Sequence, residues 1–212
     1  MITIKPSTRA NQNDVSFIPR TKDDILYMQK VLSQKVPAEI AAKVIEDAQY
    51  WEVNSYSCSG VVSGHPVDTS SRHTTCPRFI QNKSVLILCT DEIDGSLQTP
   101  LRRVIIQTIS KDQGWSSYPT DRGTHNNSWT WFDIALVRSE DGVEKEIVRR
   151  KLWSNVHASR EMAVHVGDLE YGDEIVNKAV RGDRLCIWAS ARFPGWRCEI
   201  EQVRVWVFTA VH

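Results

Sequence analysis

The sequence predicts a mainly β protein, an antiparallel sandwich or jelly roll preceded by a small N-terminal helical hairpin. Three observations carry that expectation. From Ser84 onward, short apolar or alternating segments recur, separated by turn pairs such as Asp141-Gly142, Gly172-Asp173 and Gly182-Asp183. Those segments are rich in Val, Ile and Trp, which suit a pleated, half-buried surface. Before them, apolar residues fall at helical spacing instead.

Residues 1–20 are polar and unpatterned, and a disordered N-terminus is expected there. In 21–52, Thr21 with Asp24 three residues later forms a capping pattern, because a hydroxyl and a carboxylate satisfy the free N–H groups of a first turn. Ile25, Met28 and Leu32 then share a face. Pro37 suits the start of a second helix, where its missing N–H costs nothing. Ile40, Ala41, Val44, Ile45 and Ala48 follow on one face. A hairpin of about thirty residues cannot bury a core alone, so its apolar faces must dock on another element.

Residues 53–83 are dominated by Ser, Thr, Gly, Pro and His and predict an irregular connection. The sandwich is expected over 84–212. "SVLILCT" is a continuous apolar run, and "LRRVIIQTIS" sets Val104, Ile106 and Thr108 against Arg103, Ile105 and Gln107. "WTWFDIALVR" places Phe132, Ile134 and Leu136 on one face. "EKEIVRRKLW", "EMAVHVGDLEY", "DRLCIWASARF" and "WRCEIEQVRVWVFTAV" complete a set of about eight short strands. In the last, apolar parity shifts from Cys198 and Ile200 to Val203, Val205 and Val207, which predicts a bulge near Gln202. The cations of "VRRKLW" (Arg149, Arg150, Lys151) read as an edge strand guarded by charge.

Lys plus Arg equals Asp plus Glu, 26 each, so the chain has no global field that would draw phosphate backbones or anionic membranes. Nucleic acid and membrane are therefore not expected as partners. No apolar run reaches membrane-spanning length and the first residues lack the apolar middle of a secretory signal, so a cytoplasmic or nuclear location is expected. Five cysteines, an odd number, in a chain large enough for its own core predict reduced thiols, with Cys186 and Cys198 as core residues.

The β region also resembles a known group. "DQGW", "GT", "SWTWF", then "LWSNVHA", then "ARFPGW" occur in the order found in a family of mostly uncharacterised fungal proteins, some of which carry ankyrin repeats. The likeness covers residues 84–208 and implies a shared sandwich without an established activity. Gly195-Trp196 entering the final strand is loosely similar to the end of phloem-lectin and galactose-binding-like sandwiches. "VPAEIAAKVIEDA", residues 36–48, is similar to the opening of an F-box, with Val36 in place of its Leu, and implies binding of a ubiquitin-ligase adaptor.

The densest stretch is "SKDQGWSSYPTDRGTHNNSWTWF", residues 110–132. Asp112, Asp121, His125 and His157 supply an acid and a base, yet no nucleophile-elbow phrase, phosphate loop or metalloprotease helix accompanies them. No catalytic residue and no cofactor are assigned. Cys58, His65, His73 and Cys76 form a series that could hold zinc, but only His73 and Cys76 have the usual tight spacing, so no metal is expected. Amides and carboxylates beside flat Trp faces suit a sugar, which presents an apolar ring face and paired hydroxyls. The competing reading has Trp131, Trp153, Trp188 and Trp206 as core between sheets and the loop as a turn cluster. The sequence thus predicts a non-catalytic recognition module for a protein partner or glycan-like ligand. Its rim is Asp112, Gln113, Trp115, Asp121, Asn126, Asn127, Asn155 and His157. A substrate receptor of a ubiquitin ligase, with 21–51 binding the adaptor, is the alternative.

Overall fold

Two helices and two facing sheets make up the chain in a computed structural model, which describes residues 20–60, 72–94 and 99–211, with 60 and 72–75 described by backbone alone. The helices are α1 (Lys22–Ser33) and α2 (Ala38–Asp47). The strands begin with β1 (Glu52–Gly60), β2 (Arg72–Cys76), β3 (Phe79–Gln81), β4 (Lys83–Cys89) and β5 (Leu101–Lys111). They continue with β6 (Thr130–Glu140), β7 (Val143–Ser154), β8 (Ala163–Leu169), β9 (Arg184–Ala191) and β10 (Arg197–Thr209), with a short helix α3 (Glu174–Lys178) between β8 and β9. One sheet runs β2-β1-β10-β5-β8, with β3 also pairing β10, and the other runs β4-β9-β6-β7. All pairings are antiparallel except β1 with β2. This is the expected mainly β sandwich behind a helical hairpin. No helix among the described residues is long and apolar enough to cross a membrane.

The alternation of the sequence explains the layers. Val104 and Ile106 of β5, Phe132, Ile134 and Leu136 of β6, Ile187 of β9 and Val203, Val205 and Val207 of β10 meet in one core between the sheets. The parity change in β10 is a register shift between Ile200 and Gln202. The extra residue turns Val203 inward after Ile200 and keeps the whole strand half in the core. As an outer strand of its sheet, β7 carries its cations as expected. Arg149 binds Asp133 at 3.0 Å and lies 4.6 Å from the Trp188 ring centroid, Arg150 binds Asp173, and Lys151 lies 5.5 Å from the Trp131 ring.

The hairpin forms as its caps direct. Thr21 Oγ1 accepts the Asp24 N–H at 3.2 Å and Asp24 Oδ2 accepts the Thr21 N–H at 2.9 Å. Those bonds hold the exposed Asp24 carboxyl below its ordinary range. Pro37 stands at the N-cap of α2. Ile25 and Ile45 dock on Val211 just beyond β10, and Glu46 accepts Arg102 at 2.6 Å and the Trp51 indole N–H at 3.2 Å. Ile40 and Val44, expected on the docked face, point to solvent instead.

Several expectations are corrected. Residues 53–83 are no irregular connection: β1 and β3 both pair with β10 along the edge opposite β5 and β2 extends the sheet, although 61–71 lie outside the described residues, as does the N-terminus through 19. Of the tryptophans expected between the sheets, only Trp153 is there; Trp206 lies on the opposite face with Ile105 and Phe208, and Trp131 and Trp188 are half-buried. The cysteines are not all thiols. Cys89 and Cys186, facing partners on β4 and β9, form a disulfide, while Cys58, Cys76 and Cys198 are free and buried. A cross-strand pair 97 residues apart in sequence becomes visible only when the strands are paired.

One inter-sheet contact admits no slack. A Cβ on Gly167 of β8 would lie 2.6 Å from Cζ3 of Trp153 on β7, so the indole occupies the space a side chain would need. Gly167→Ala should destabilise the fold by about 1–3 kcal/mol as the Trp153 ring is forced off its seat, read as a lower urea midpoint at unchanged slope.

Candidate functional site

The loop between β5 and β6, residues 112–129, is held against the segment leaving β7, residues 155–162, by buried polar bonds. Backbone pairing starts it: Gly123 N–H to His157 O at 3.0 Å, His157 N–H to Thr124 O at 2.7 Å, and Asn155 N–H to Thr130 O at 2.9 Å. Asp112 joins both segments. Its Oδ1 accepts the Gly114 N–H at 3.0 Å and its Oδ2 the Ala158 N–H at 2.6 Å. Burial pushes this carboxyl up from its ordinary range, opposed by the N–H bonds from Gly114, Ala158 and Ser159 and by the nearby His157. Asn155 ties the segment to both sheets: Oδ1 accepts the Ser110 hydroxyl at 2.7 Å, and Nδ2 donates to Thr130 Oγ1 at 2.9 Å and Cys198 Sγ at 3.3 Å.

His157 is the third interior anchor. Its Nδ1 lies 2.9 Å from the Asn127 carbonyl oxygen and its Nε2 2.7 Å from Ser116 Oγ, with the Trp196 ring 5.4 Å away. Asp112, Asn155 and His157 each have 0% of their surface open to water. Three of the eight residues expected on a ligand-facing rim are therefore inside, where they fix the loop rather than meet a ligand.

The other five reach the surface. Gln113 donates Nε2–H to the Trp115 carbonyl at 2.9 Å, while its Oε1 is buried without a partner. Asn127 donates to Asp121 Oδ2 at 2.7 Å, and the Asn126 side chain is exposed. Trp115 is 58% exposed and Tyr118 62%, large values for aromatic rings. Trp129 meets Phe193 edge to face at 4.9 Å, and Gly195 of the same connection packs beside the Trp115 ring, where a Cβ would lie in ordinary contact at 3.7 Å. The product is an aromatic shelf spanning two loops and fringed with amides. Tyr118, Phe193, Trp196 and Ser116 were not among the expected rim. The "ARFPGW" phrase was the available signal for Phe193 and Trp196. Ser116 stands 41 residues from His157 and carries no signal of its own.

The cavities lie elsewhere. One of about 200 Å³, lined by residues including Glu52, Tyr56, Asp91 and Val207, opens at the far end of the sandwich, and one of about 220 Å³ sits beside Asn82, Trp131 and Arg192. Neither is lined by residues 112–129. For zinc, His65 and the His73 side chain lie outside the described residues. Cys58 and Cys76 share a buried thiol contact that, with burial, pushes the Cys58 thiol far up. Among the described residues no three His, Cys, Asp or Glu side chains converge on a metal position.

No protein-family model, curated protein or solved structure matches the chain. Fold and site alone define its class: a β-sandwich whose one end carries an interior-braced aromatic rim.

Behind the rim, His165 of β8 stacks on Trp153 at 5.9 Å, with His125 5.8 Å away on the loop and its own Nε2 buried without a partner. Burial first, and the His125 charge second, push its imidazole down to about 4. The folded protein thus refuses a proton that the unfolded chain accepts. Stability from His165 is complete above its ordinary value of 6.5 and is lost as pH falls toward about 4. His165→Phe, which keeps a ring against Trp153, should flatten that part of the pH dependence of the melting temperature between pH 6.5 and 4.

Proposed function

We propose that the chain is a recognition module whose rim binds a glycan-like ligand. The observation that carries this reading is the exposed Trp115 and Tyr118 on a loop braced from within by Asp112, Asn155 and His157. A sugar's apolar ring face stacks on such an indole, while Asn126 and Asp121 offer donors and acceptors to its hydroxyls. Because the shelf is preformed, little side-chain ordering opposes binding. A protein partner anchored by the same rings is the other occupant that this surface suits. The likeness to the fungal "DQGW…SWTWF" family and to lectin sandwiches supports this reading by pattern alone.

On a glycan array, Trp115→Ala should weaken every hit by roughly tenfold or more, while Tyr171→Ala, an exposed ring outside the rim, should not. Equal binding by both variants, or no hit with folded protein, would remove the glycan reading.

A second reading rests on a separate observation. Leu26, Tyr27 and Val31 of α1 and Ile40 and Val44 of α2 are exposed on the hairpin, where docking to the sandwich leaves them unused. This supports a protein-docking role, including the F-box-like one in which the hairpin binds a ubiquitin-ligase adaptor and the rim binds the target. The double variant Ile40→Asp/Val44→Asp should abolish capture of purified adaptor if that is so. No capture by the unaltered chain ends this second reading.

A further inference from the structure

We propose that the glycan taken by the rim is an acidic one, whose carboxylate or sulfate groups are held by Arg122, Arg160 and Arg192 around the Trp115 ring. This rests on the glycan reading above and adds the charge of the ligand to it. The observation behind it is how the arginines of the sandwich are matched. Away from the rim, Arg102, Arg103, Arg138, Arg149, Arg150 and Arg184 each hold a carboxylate in an ion pair. Arg122, Arg160 and Arg192 are exposed, and no carboxylate among the described residues pairs with any of them.

These three frame one surface. Arg160 runs along Gly114, the residue before Trp115, with its Cγ 3.6 Å from where a Gly114 Cβ would stand. Arg122 Nη2 donates to the carbonyl of Ser116, the residue after Trp115, at 3.4 Å. The Arg192 guanidinium lies 5.3 Å from the Phe193 ring centroid, in the connection whose Gly195 packs beside the Trp115 indole. A further excess lies next to Arg160. Lys111 Nζ donates to the Arg160 carbonyl at 3.2 Å and shares Glu199 with Arg78 and Arg197, at 3.4, 3.6 and 3.9 Å. One carboxylate there meets three cations, so positive charge is left over on this face as well.

A single exposed arginine is ordinary, because water solvates it well. What needs a reason is that the unmatched arginines gather at the exposed aromatic rings of a chain whose formal charge is zero. A guanidinium offers a planar fork of N–H donors that fits the two oxygens of a carboxylate or sulfate. Beside the apolar faces of Trp115 and Phe193 such a pair is screened less than in open water. A neutral sugar would use none of this charge. Single-stranded nucleic acid also stacks on aromatic rings, but it calls for cations that track a continuous backbone. Asp121 and Glu161 stand next to Arg122 and Arg160 in the chain and interrupt such a track, whereas separate anionic groups on a sugar chain fit between them.

The test measures binding of the full chain to neutral, uronate-bearing and sulfate-bearing oligosaccharides of matched length, and to a single-stranded oligonucleotide, at low and high salt. The proposal expects at least one acidic sugar set to bind roughly tenfold or more tighter than the neutral one at low salt, with the gap closing at high salt. The tighter of the uronate and sulfate sets identifies the anion. The triple variant Arg122→Gln/Arg160→Gln/Arg192→Gln should lose the gap at an unchanged melting temperature, while Lys145→Gln, on the far end of β7, should keep it. Equal binding of neutral and acidic sugars, or a gap that the folded triple variant retains, overturns the inference and leaves the glycan reading standing. Binding of no sugar set ends both, and an oligonucleotide held more tightly than any sugar overturns the inference in favour of nucleic acid. The ranking of the ligand sets is read in the unaltered protein, so it decides the matter whether or not the triple variant folds.

Discussion

A single buried carboxylate sets the geometry of the rim. Asp112 ends β5 with no surface open to water, a position that costs several kcal/mol for an unpaired charge. It is tolerated because both oxygens receive backbone N–H groups, from Gly114 on its own loop and from Ala158 on the neighbouring one. Such charge-assisted bonds contribute roughly 1.5–3 kcal/mol each. The carboxylate in turn satisfies N–H groups that the two irregular segments would otherwise bury unpaired. Where Gln113, Trp115 and Ser116 stand relative to His157 follows from this clamp. The loop is therefore an extension of the sheet interior rather than a free connection.

The two ends of the sandwich are built differently. At the rim, polar groups cross the core: Asn155 bridges Ser110 and Thr130, and the Trp153 indole donates to Thr108 at 3.1 Å. Each bond in a low-dielectric interior demands one arrangement, which fixes the rim against slippage. At the far end, the hairpin docks through a small apolar contact of Ile25, Ile45 and Val211 reinforced by Glu46 and Arg102. That contact orients the helices while leaving their other face uncovered. The rigid end thus carries the aromatic shelf, and the lightly attached end carries exposed aliphatic residues.

The strands were legible where one face is apolar and the other is not. β5, β6 and β10 could be read from their alternation, and even the bulge after Ile200 showed as a change of parity. β1 could not, because Ser55, Ser57 and Ser59 alternate with Tyr56 and Cys58 in a weakly apolar pattern whose strand character comes from pairing with distant β10. The polar residues of the loop were legible as a group but not by side. Asp112 and Asn126 belong to the same compositional class; the N–H groups of Gly114 and the distant Ala158 hold the first inward. The same limit hid the disulfide and the Ser116–His157 contact, since each joins residues placed by separate strands.

Phe193 keeps its ring at the rim against a backbone cost. Its φ of +76° lies in a region that a bulky side chain enters at a cost of order 1–3 kcal/mol and that glycine enters freely. Gly195, two residues on, has a φ of +90° without that cost and lies beside the Trp115 ring. At 193 the ring is present despite the strain, and it is only partly used inside: one edge meets Trp129 while 43% of the residue faces water. The contact to Trp129 is worth about 0.5–1.5 kcal/mol, and the Arg192 guanidinium 5.3 Å from the ring centroid and the buried part of the side chain add to it. Together these contacts offset the strain, so packing at the rim is reason enough for an aromatic ring in that backbone conformation. The turn that holds Phe193 also carries Gly195 beside the Trp115 ring, so this connection and the β5–β6 loop meet at one end of the sandwich.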